Sequence, residues 1–318
     1  MSDTNKPTIV VTNGTAGEGY WSVYYLLKTG RFNVRTTVRR PTSELATKLQ
    51  ALDVDGHRCT VVQAANEDEA ALREAFTGAH GIYGTTIYNI HATKYRDENP
   101  EEMAQGRAVI AAAQATESLE HFVWQTMTRF ERTPEEGGLT SPIHFRTKWK
   151  LEEMVQECGL PWTLLRQPAY MRQIQFGLMR KNKLVYPYPP DTRLSYVAEE
   201  DLGKLVAQLF LDRDRFLHQT VKAVSEVTNP TELAQRLHAF KSAFSARYRK
   251  ASFLYNAFFD YIVVGFRPAF RYVSQINGNL MAGNPFDMDK ADQEFCAELI
   301  KPLRLKTIED WLREDNPI

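Results

Sequence analysis

Short apolar runs alternate with amphipathic segments of helix length from residue 8 to residue 167, and few folds are compatible with that rhythm. The runs are TIVVT (8–12), FNVRTTV (32–38), CTVVQ (59–63), GIYGTTIY (81–88), HFVWQT (121–126) and WTLLRQ (162–167). Residues 18–29 place Trp21, Val23, Tyr24 and Leu27 at helical spacing. Residues 41–52 start with Pro41 and Ser43 and carry Leu45, Leu49 and Leu52 on one face. Residues 68–78 close on Gly78, 100–117 open on a proline and acids, and 148–159 complete the set. Strands alternating with helices of this length make right-handed βαβ units and a parallel sheet. The expected fold class is α/β: a Rossmann-like, doubly wound parallel sheet in residues 1–167, and a smaller, mostly helical carboxy-terminal part in 168–318.

Composition narrows the function. Hydrophobic residues make up 43% and charged residues 25%, as in an ordinary globular chain. Formal net charge is zero, which argues against direct nucleic-acid binding, since that needs a basic surplus. Cys59, Cys158 and Cys296 show no CxxC spacing, so neither a disulfide framework nor a zinc site is expected. They fit a reducing, cytoplasmic compartment, and MSDTNKP at the start has no apolar core of a secretory signal. The most apolar stretch, FLYNAFFDYIVVGF (253–266), is too short to span a membrane and carries Asp260. Core or pocket wall is the favoured reading for it, with a subunit contact as the other. No metal is expected, because the histidines show no HxxxH or HExxH spacing. A GxSxG elbow is also absent.

The first βα turn reads TNGTAGEGYW (12–21). A strand, a glycine-rich turn and a helix N-terminus present backbone N–H groups and a favourable dipole to phosphate. Thr12, Asn13, Gly14, Thr15, Ala16, Gly17, Glu18 and Gly19 are therefore candidates for holding a dinucleotide. Three registers fit: a TGxxxGxG loop counted from Thr12, GxxGxxG from Gly14 with Tyr20 in the last place, and the same motif from Asn13 through Ala16 to Gly19. The chemistry favours keeping Gly17 and Gly19 near the phosphates and leaving Tyr20 and Trp21 on the helix, as packing or pocket residues. At the end of the second strand, VRTTVRRP offers no acid for a ribose 2′-OH. Arg39 and Arg40 stand there instead, which points to NADP rather than NAD. Thr85 and Thr86, at the end of the fourth run, are further cofactor candidates. His91, Lys94 and Tyr95, in the loop beyond, are pocket candidates.

These segments resemble the NmrA-like family, the atypical, isoflavone-reductase-like short-chain dehydrogenase/reductases. VTNGTAGEG is similar to the family's V(T/N)GATGxxG loop, and VRTTVRRP to its VRxxxRxP segment, which implies that Arg39 meets the 2′-phosphate. VVQAANEDEAALREAFTGAHGIYG, EEMAQGRAVIAAAQATESLEHFVWQT and HFRTKWKLEEMVQECGLPWTLLRQPAYM resemble three further family blocks, with Ala65 in place of a usual Asp. SYVAEEDLGKLVAQLFLD and LKTIEDWLRED resemble the late return to the sheet, about 194–225, and the last helix. Where ordinary short-chain reductases carry YxxxK, this chain has His144-x-x-x-Lys148, whose spacing puts both residues on one helix face. The resemblance implies that Lys148 touches the nicotinamide or its ribose, that Thr126 matches the family's Ser/Thr, and that Tyr170 lies beside the nicotinamide. His144 is a candidate proton donor, since imidazole titrates near neutral pH. Local packing is its plainer role, and Tyr170 is the nearest substitute acid.

Three functions stay open. The leading one is an NADPH-dependent reductase of a small, fairly apolar substrate. The second is a non-catalytic NADP(H)-binding redox sensor that binds a regulatory protein partner. The third is a non-redox cyclase or isomerase on the same fold. The expected cofactor is NADP and the expected partner a small-molecule substrate, with neither membrane nor direct nucleic-acid contact. A homodimer is compatible with all three.

Overall fold

A computed structural model describes residues 6–88, 98–127, 143–176, 179–180, 182–186, 190–191, 194–247, 249–250, 298 and 301–315. The candidates at 253–266 and at His91, Lys94 and Tyr95 lie outside these residues. The alternation runs β1 (Thr8–Val11), α1 (Gly17–Lys28), β2 (Asn33–Val38), α2 (Glu44–Ala51), β3 (Thr60–Gln63), α3 (Glu69–Phe76), β4 (Gly81–Gly84), α4 (Pro100–Gln114), β5 (His121–Met127), α5 (Ile143–Glu157) and β6 (Trp162–Gln167). There follow β7 (Ala169–Tyr170), α6 (Gln173–Phe176), β8 (Met179–Arg180), β9 (Lys183–Tyr186), β10 (Leu194–Val197), α7 (Glu199–Leu211), α8 (Arg213–Phe216), β11 (Thr220–Lys222), β12 (Glu226–Thr228), α9 (Pro230–Phe240), β13 (Arg249–Lys250) and α10 (Ile308–Asp315).

Among the described residues, seven strands form one parallel sheet in the order β11-β6-β5-β4-β1-β2-β3. The chain winds outward one way from β1 and the other way from β4. A crevice therefore opens at the carboxyl ends of these two strands, where ligands of such sheets bind. Alternation along β1 divides the core. Ile9 and Val11 face α1, α2 and α7 through Val23, Leu26, Leu49, Leu202 and Val206. Val10 faces α3, α4 and α5 through Leu72, Val109 and Leu151. Burying apolar side chains on both faces is what an all-parallel sheet requires. Gly203 lets α7 approach α1, because a Cβ there would overlap the Trp21 backbone.

Two boundaries differ from the sequence expectation. β4 stops at Gly84 rather than reaching Tyr88, because the Thr85 amide donates to Thr12 Oγ1 (3.0 Å) and leaves the ladder. α5 starts at Ile143, ahead of the expected 148. Pro142, just before it, is a helix-entry signal in the sequence. The return is split: β11 joins the edge of the large sheet beside β6, while β10 pairs with β7 and β12 in a small one. A third core lies there, built from Met171, Ile174, Leu194, Tyr196, Leu233, Leu237, Trp311 and Leu312. No helix among the described residues is long and apolar enough to cross a membrane.

His121, at the start of β5, is buried under Phe210 and shares a 2.8 Å hydrogen bond with Thr163 Oγ1. Thr163 donates its own proton to the Phe216 carbonyl (2.5 Å), so His121 Nε2 is the donor in that pair. Burial holds the imidazole down at about 3, against an ordinary 6.5, with Arg213 adding to the effect. The unfolded chain therefore takes up the proton first. Stability is complete above pH 6.5 and is lost as pH falls toward 3, by up to ~1.4 kcal/mol per pH unit from this group. Urea unfolding at a series of pH values checks this, and His121→Asn should flatten that part of the profile.

Candidate active site at the carboxyl edge of the sheet

The glycine turn is fastened to both neighbouring strands. Thr12 N and Thr12 Oγ1 donate to the Tyr83 carbonyl (3.0 and 3.2 Å), and Gly14 N donates to the Thr37 carbonyl (3.0 Å). Asn13 adopts a left-handed φ of 55°, a conformation that glycine adopts freely and Asn tolerates. Its side-chain Nδ2 donates to the Thr85 carbonyl at 3.2 Å. A Cβ on Gly19 would overlap the Asn13 carbonyl and stand 3.1 Å from Gly14 Cα. Asn13 and Gly19 thus occupy the left-handed and close-packed ends of the turn, matching the register Asn13-x-x-Ala16-x-x-Gly19. That close approach gives Gly19 a packing role in the turn. Tyr20 packs against the first core, and Trp21 lies edge-on to Tyr20 and Tyr24 with centroids 5.6 Å apart in each pair. Both aromatics make packing contacts.

The turn suits an anion. Ala16 precedes α1 and supplies no side-chain cap, as Ala198 supplies none to α7, whereas Ser43, Asp68, Asn99 and Asn229 cap α2, α3, α4 and α9. The first N–H groups of α1 are left for another acceptor, with the helix dipole behind them. Acid is also close. A Cβ on Gly17 would meet the Glu199 carboxylate at 2.5–2.6 Å, and Arg172 holds that carboxylate in a 3.0 Å ion pair. Glu18 lies in the first turn of α1.

Thr85 and Thr86 join the turn to the second half of the site. The Thr85 carbonyl accepts from Asn13 and, at 2.7 Å, from Asn66 Nδ2. One residue on, Thr86 receives Lys148 Nζ on its carbonyl (2.8 Å) and on Oγ1 (2.6 Å). Glu102 of α4 completes the cluster: its Oε1 lies 3.2 Å from Lys148 Nζ and accepts from Thr86 Oγ1 at 2.8 Å. Glu102 is 0% exposed and the Lys148 side chain 9%. An ammonium has three protons, and these three acceptors match them. Glu102 Oε2 is buried with no hydrogen-bond partner among the described residues. Glu102 is not among the candidates the sequence offers; its only signal there is its place in the EEMAQG segment that resembles a family block.

The remaining candidates fall around this cluster. Thr126 is buried at the end of β5, and its Oγ1 donates to the Lys148 carbonyl (3.4 Å). His144 lies one helical turn before Lys148 on α5, with its side chain outside the described residues. Tyr170 donates to Gln167 Oε1 (2.8 Å) and accepts from Gln125 Nε2 (3.4 Å), and Gln125 in turn bonds Gln167 and the Tyr83 hydroxyl. Burial pushes the Tyr170 phenol well above its ordinary value, and the Glu18 carboxylate adds to the rise. Both facts work against Tyr170 as a proton donor near neutral pH. Arg39 and Arg40 are exposed at the end of β2, and Arg39 Nη2 pairs with Glu67 Oε2 at 3.0 Å. No cluster of three metal-ligating side chains occurs among the described residues.

Comparison with known proteins places these features in a lineage. The profile of the NmrA-like family matches residues 5–312. A curated relative, the NmrA-like family domain-containing oxidoreductase notA of an Aspergillus species, is 24% identical over 269 residues, covering 78% of this chain and 77% of that protein. Among solved structures, NmrA, a negative transcriptional regulator, superposes with a TM-score of 0.74 at 19% identity, covering 98% of this chain and 95% of its own. The NADPH-dependent quinone oxidoreductase QOR2 of Escherichia coli, crystallised with NADPH, superposes at 0.71 with 20% identity, covering 97% and 99%. NmrA has also been crystallised with NADP and with NAD.

Proposed function

Since the chain belongs to the NmrA-like family, we propose that it binds NADP(H) across the carboxyl edge of β1, β2 and β4 and reduces a small, fairly apolar substrate. The observation that carries this reading is the Thr85–Thr86 bridge, which ties the uncapped turn to a buried ammonium: Asn13 bonds the first residue and Lys148 the second. The NADP-bound relatives support the cofactor. When bound, NADPH supplies the hydride. The first amides of α1 hold the pyrophosphate and Arg39 the 2′-phosphate. Lys148, kept in place by Thr86 and Glu102, presents positive charge at the nicotinamide end. Thr126 fixes the backbone of α5 at that lysine. Tyr170 forms a wall beside the ring, and His144 delivers the proton. Residues 168–318, apart from the return at about 194–225, form the substrate part over this edge.

A non-catalytic redox sensor is the second reading. It is favoured by the three acceptors that Lys148 already satisfies inside the protein and by the missing Tyr of YxxxK. NADPH oxidation with a panel of quinones, enones and aldehydes separates the two. Substrate-dependent oxidation supports the reductase. Tight binding without turnover of any of them supports the sensor.

Arg39→Ala should cost NADPH about tenfold in affinity and leave NADH nearly unchanged, as loss of one charged contact to phosphate implies. Titration of the variant with both nucleotides checks this. An unchanged preference would move the 2′-phosphate contact to Arg40.

A further inference from the structure

The charge at the end of β2 is not set by β2 alone. Residues 33–40 carry arginines and no acid, which read by itself describes a site for a 2′-phosphate. The parallel register of β2 and β3, with Val38 opposite Gln63, brings the two strand ends into step. The segment after β3 then delivers Glu67 to Arg39, Oε2 to Nη2 at 3.0 Å. Both side chains are about half exposed, 55% for Arg39 and 47% for Glu67. An ion pair in that setting is worth little and exchanges partners readily. Its carboxylate nonetheless stands within contact distance of the guanidinium that a 2′-phosphate would need.

We propose that Glu67 is a specificity-determining residue for the nucleotide: an internal competitor for Arg39 that holds down the preference for NADPH over NADH. This rests on the cofactor reading above. A 2′-phosphate carries close to two negative charges, so it must displace Glu67 from Arg39 and then bind beside a like charge. A ribose 2′-OH does neither. NADH therefore meets no penalty from Glu67, and the site accepts both nucleotides with modest discrimination. Arg40, exposed next in the chain, gives the phosphate a second cation without removing the carboxylate.

The test is calorimetric titration of the full chain and of Glu67→Gln with NADPH and NADH, at low and at raised salt. Gln keeps the side chain's shape, and the position is exposed, so the fold is not at stake. The expected result is NADPH binding tightened about three- to tenfold at low salt, with NADH within about twofold of the parent. The gain should shrink at raised salt, as screening requires. If the parent chain binds NADPH and Glu67→Gln leaves it unchanged or weaker, or shifts both nucleotides equally, Glu67 is not the competitor and the cofactor reading stands. If the parent binds neither nucleotide, the cofactor reading falls and the role of Glu67 falls with it.

Discussion

Gly19→Ala should destabilise the protein by about 3 kcal/mol and weaken NADPH binding on the order of 100-fold. The added methyl would overlap the Asn13 carbonyl and crowd Gly14 Cα, and both are backbone atoms of the same turn. No side chain can rotate out of the way. Asn13 is tied by Nδ2 to Thr85, and Gly14 N is tied to Thr37, so the turn cannot retreat without losing those bonds. The strain therefore falls on the amides proposed to face the pyrophosphate. Gly17→Ala, two residues earlier, provides the contrast. Its methyl meets the far end of the Glu199 side chain, which can swing aside. Urea unfolding and NADPH titration of the pair should show a large loss for Gly19→Ala and a stability change below about 1 kcal/mol for Gly17→Ala. Equal effects would mean that Gly19 does not hold the packing position.

Lys148→Ala should cost about 3–5 kcal/mol of stability and abolish NADPH-dependent turnover. The stability loss follows from what it leaves behind. Glu102 is fully buried, and among the described residues its Oε1 would keep only Thr86 Oγ1 while Oε2 already has no partner. A buried carboxylate stripped of its cation is far more costly than the intact pair is beneficial. Lys148→Met combined with Glu102→Gln removes both charges while keeping similar volumes. The double variant should recover most of the stability and bind substrate-free nucleotide weakly, yet remain inactive. That split separates the lysine's role at the cofactor from its role in the fold. If the double variant regains turnover, Lys148 is a structural residue only.

The fold was legible because its signals are local and repeated. The period of the apolar positions, Ser43 as a cap, Pro100 at a helix start and Gly78 after one each predict an element, and α2, α3 and α4 form where they point. Strand lengths were less legible where a side chain takes over a ladder bond, as Thr12 does at Thr85. The site was legible only in part. The turn is marked as a candidate by its glycine spacing and Lys148 by resemblance to a family block, but the residues that hold them are not marked at all. Glu102 lies 46 positions from Lys148, on another helix, and Glu67 lies 28 positions from Arg39, on another strand's loop. Such pairs are made by sheet order and register, which a one-dimensional pattern does not carry. The same holds for the glycine registers: what distinguishes them, the left-handed φ of Asn13 and the approach of Gly19 to it, is three-dimensional.

Calorimetric titration of the purified protein with NADPH, NADP⁺ and NADH decides whether the glycine turn is a dinucleotide site. If the turn from Thr12 to Gly19 holds a dinucleotide, NADPH binds with a dissociation constant on the order of a micromolar or below. Failure of all three nucleotides to bind would contradict it and leave the uncapped turn, with Glu199 standing over Gly17, as a remnant of a cofactor site.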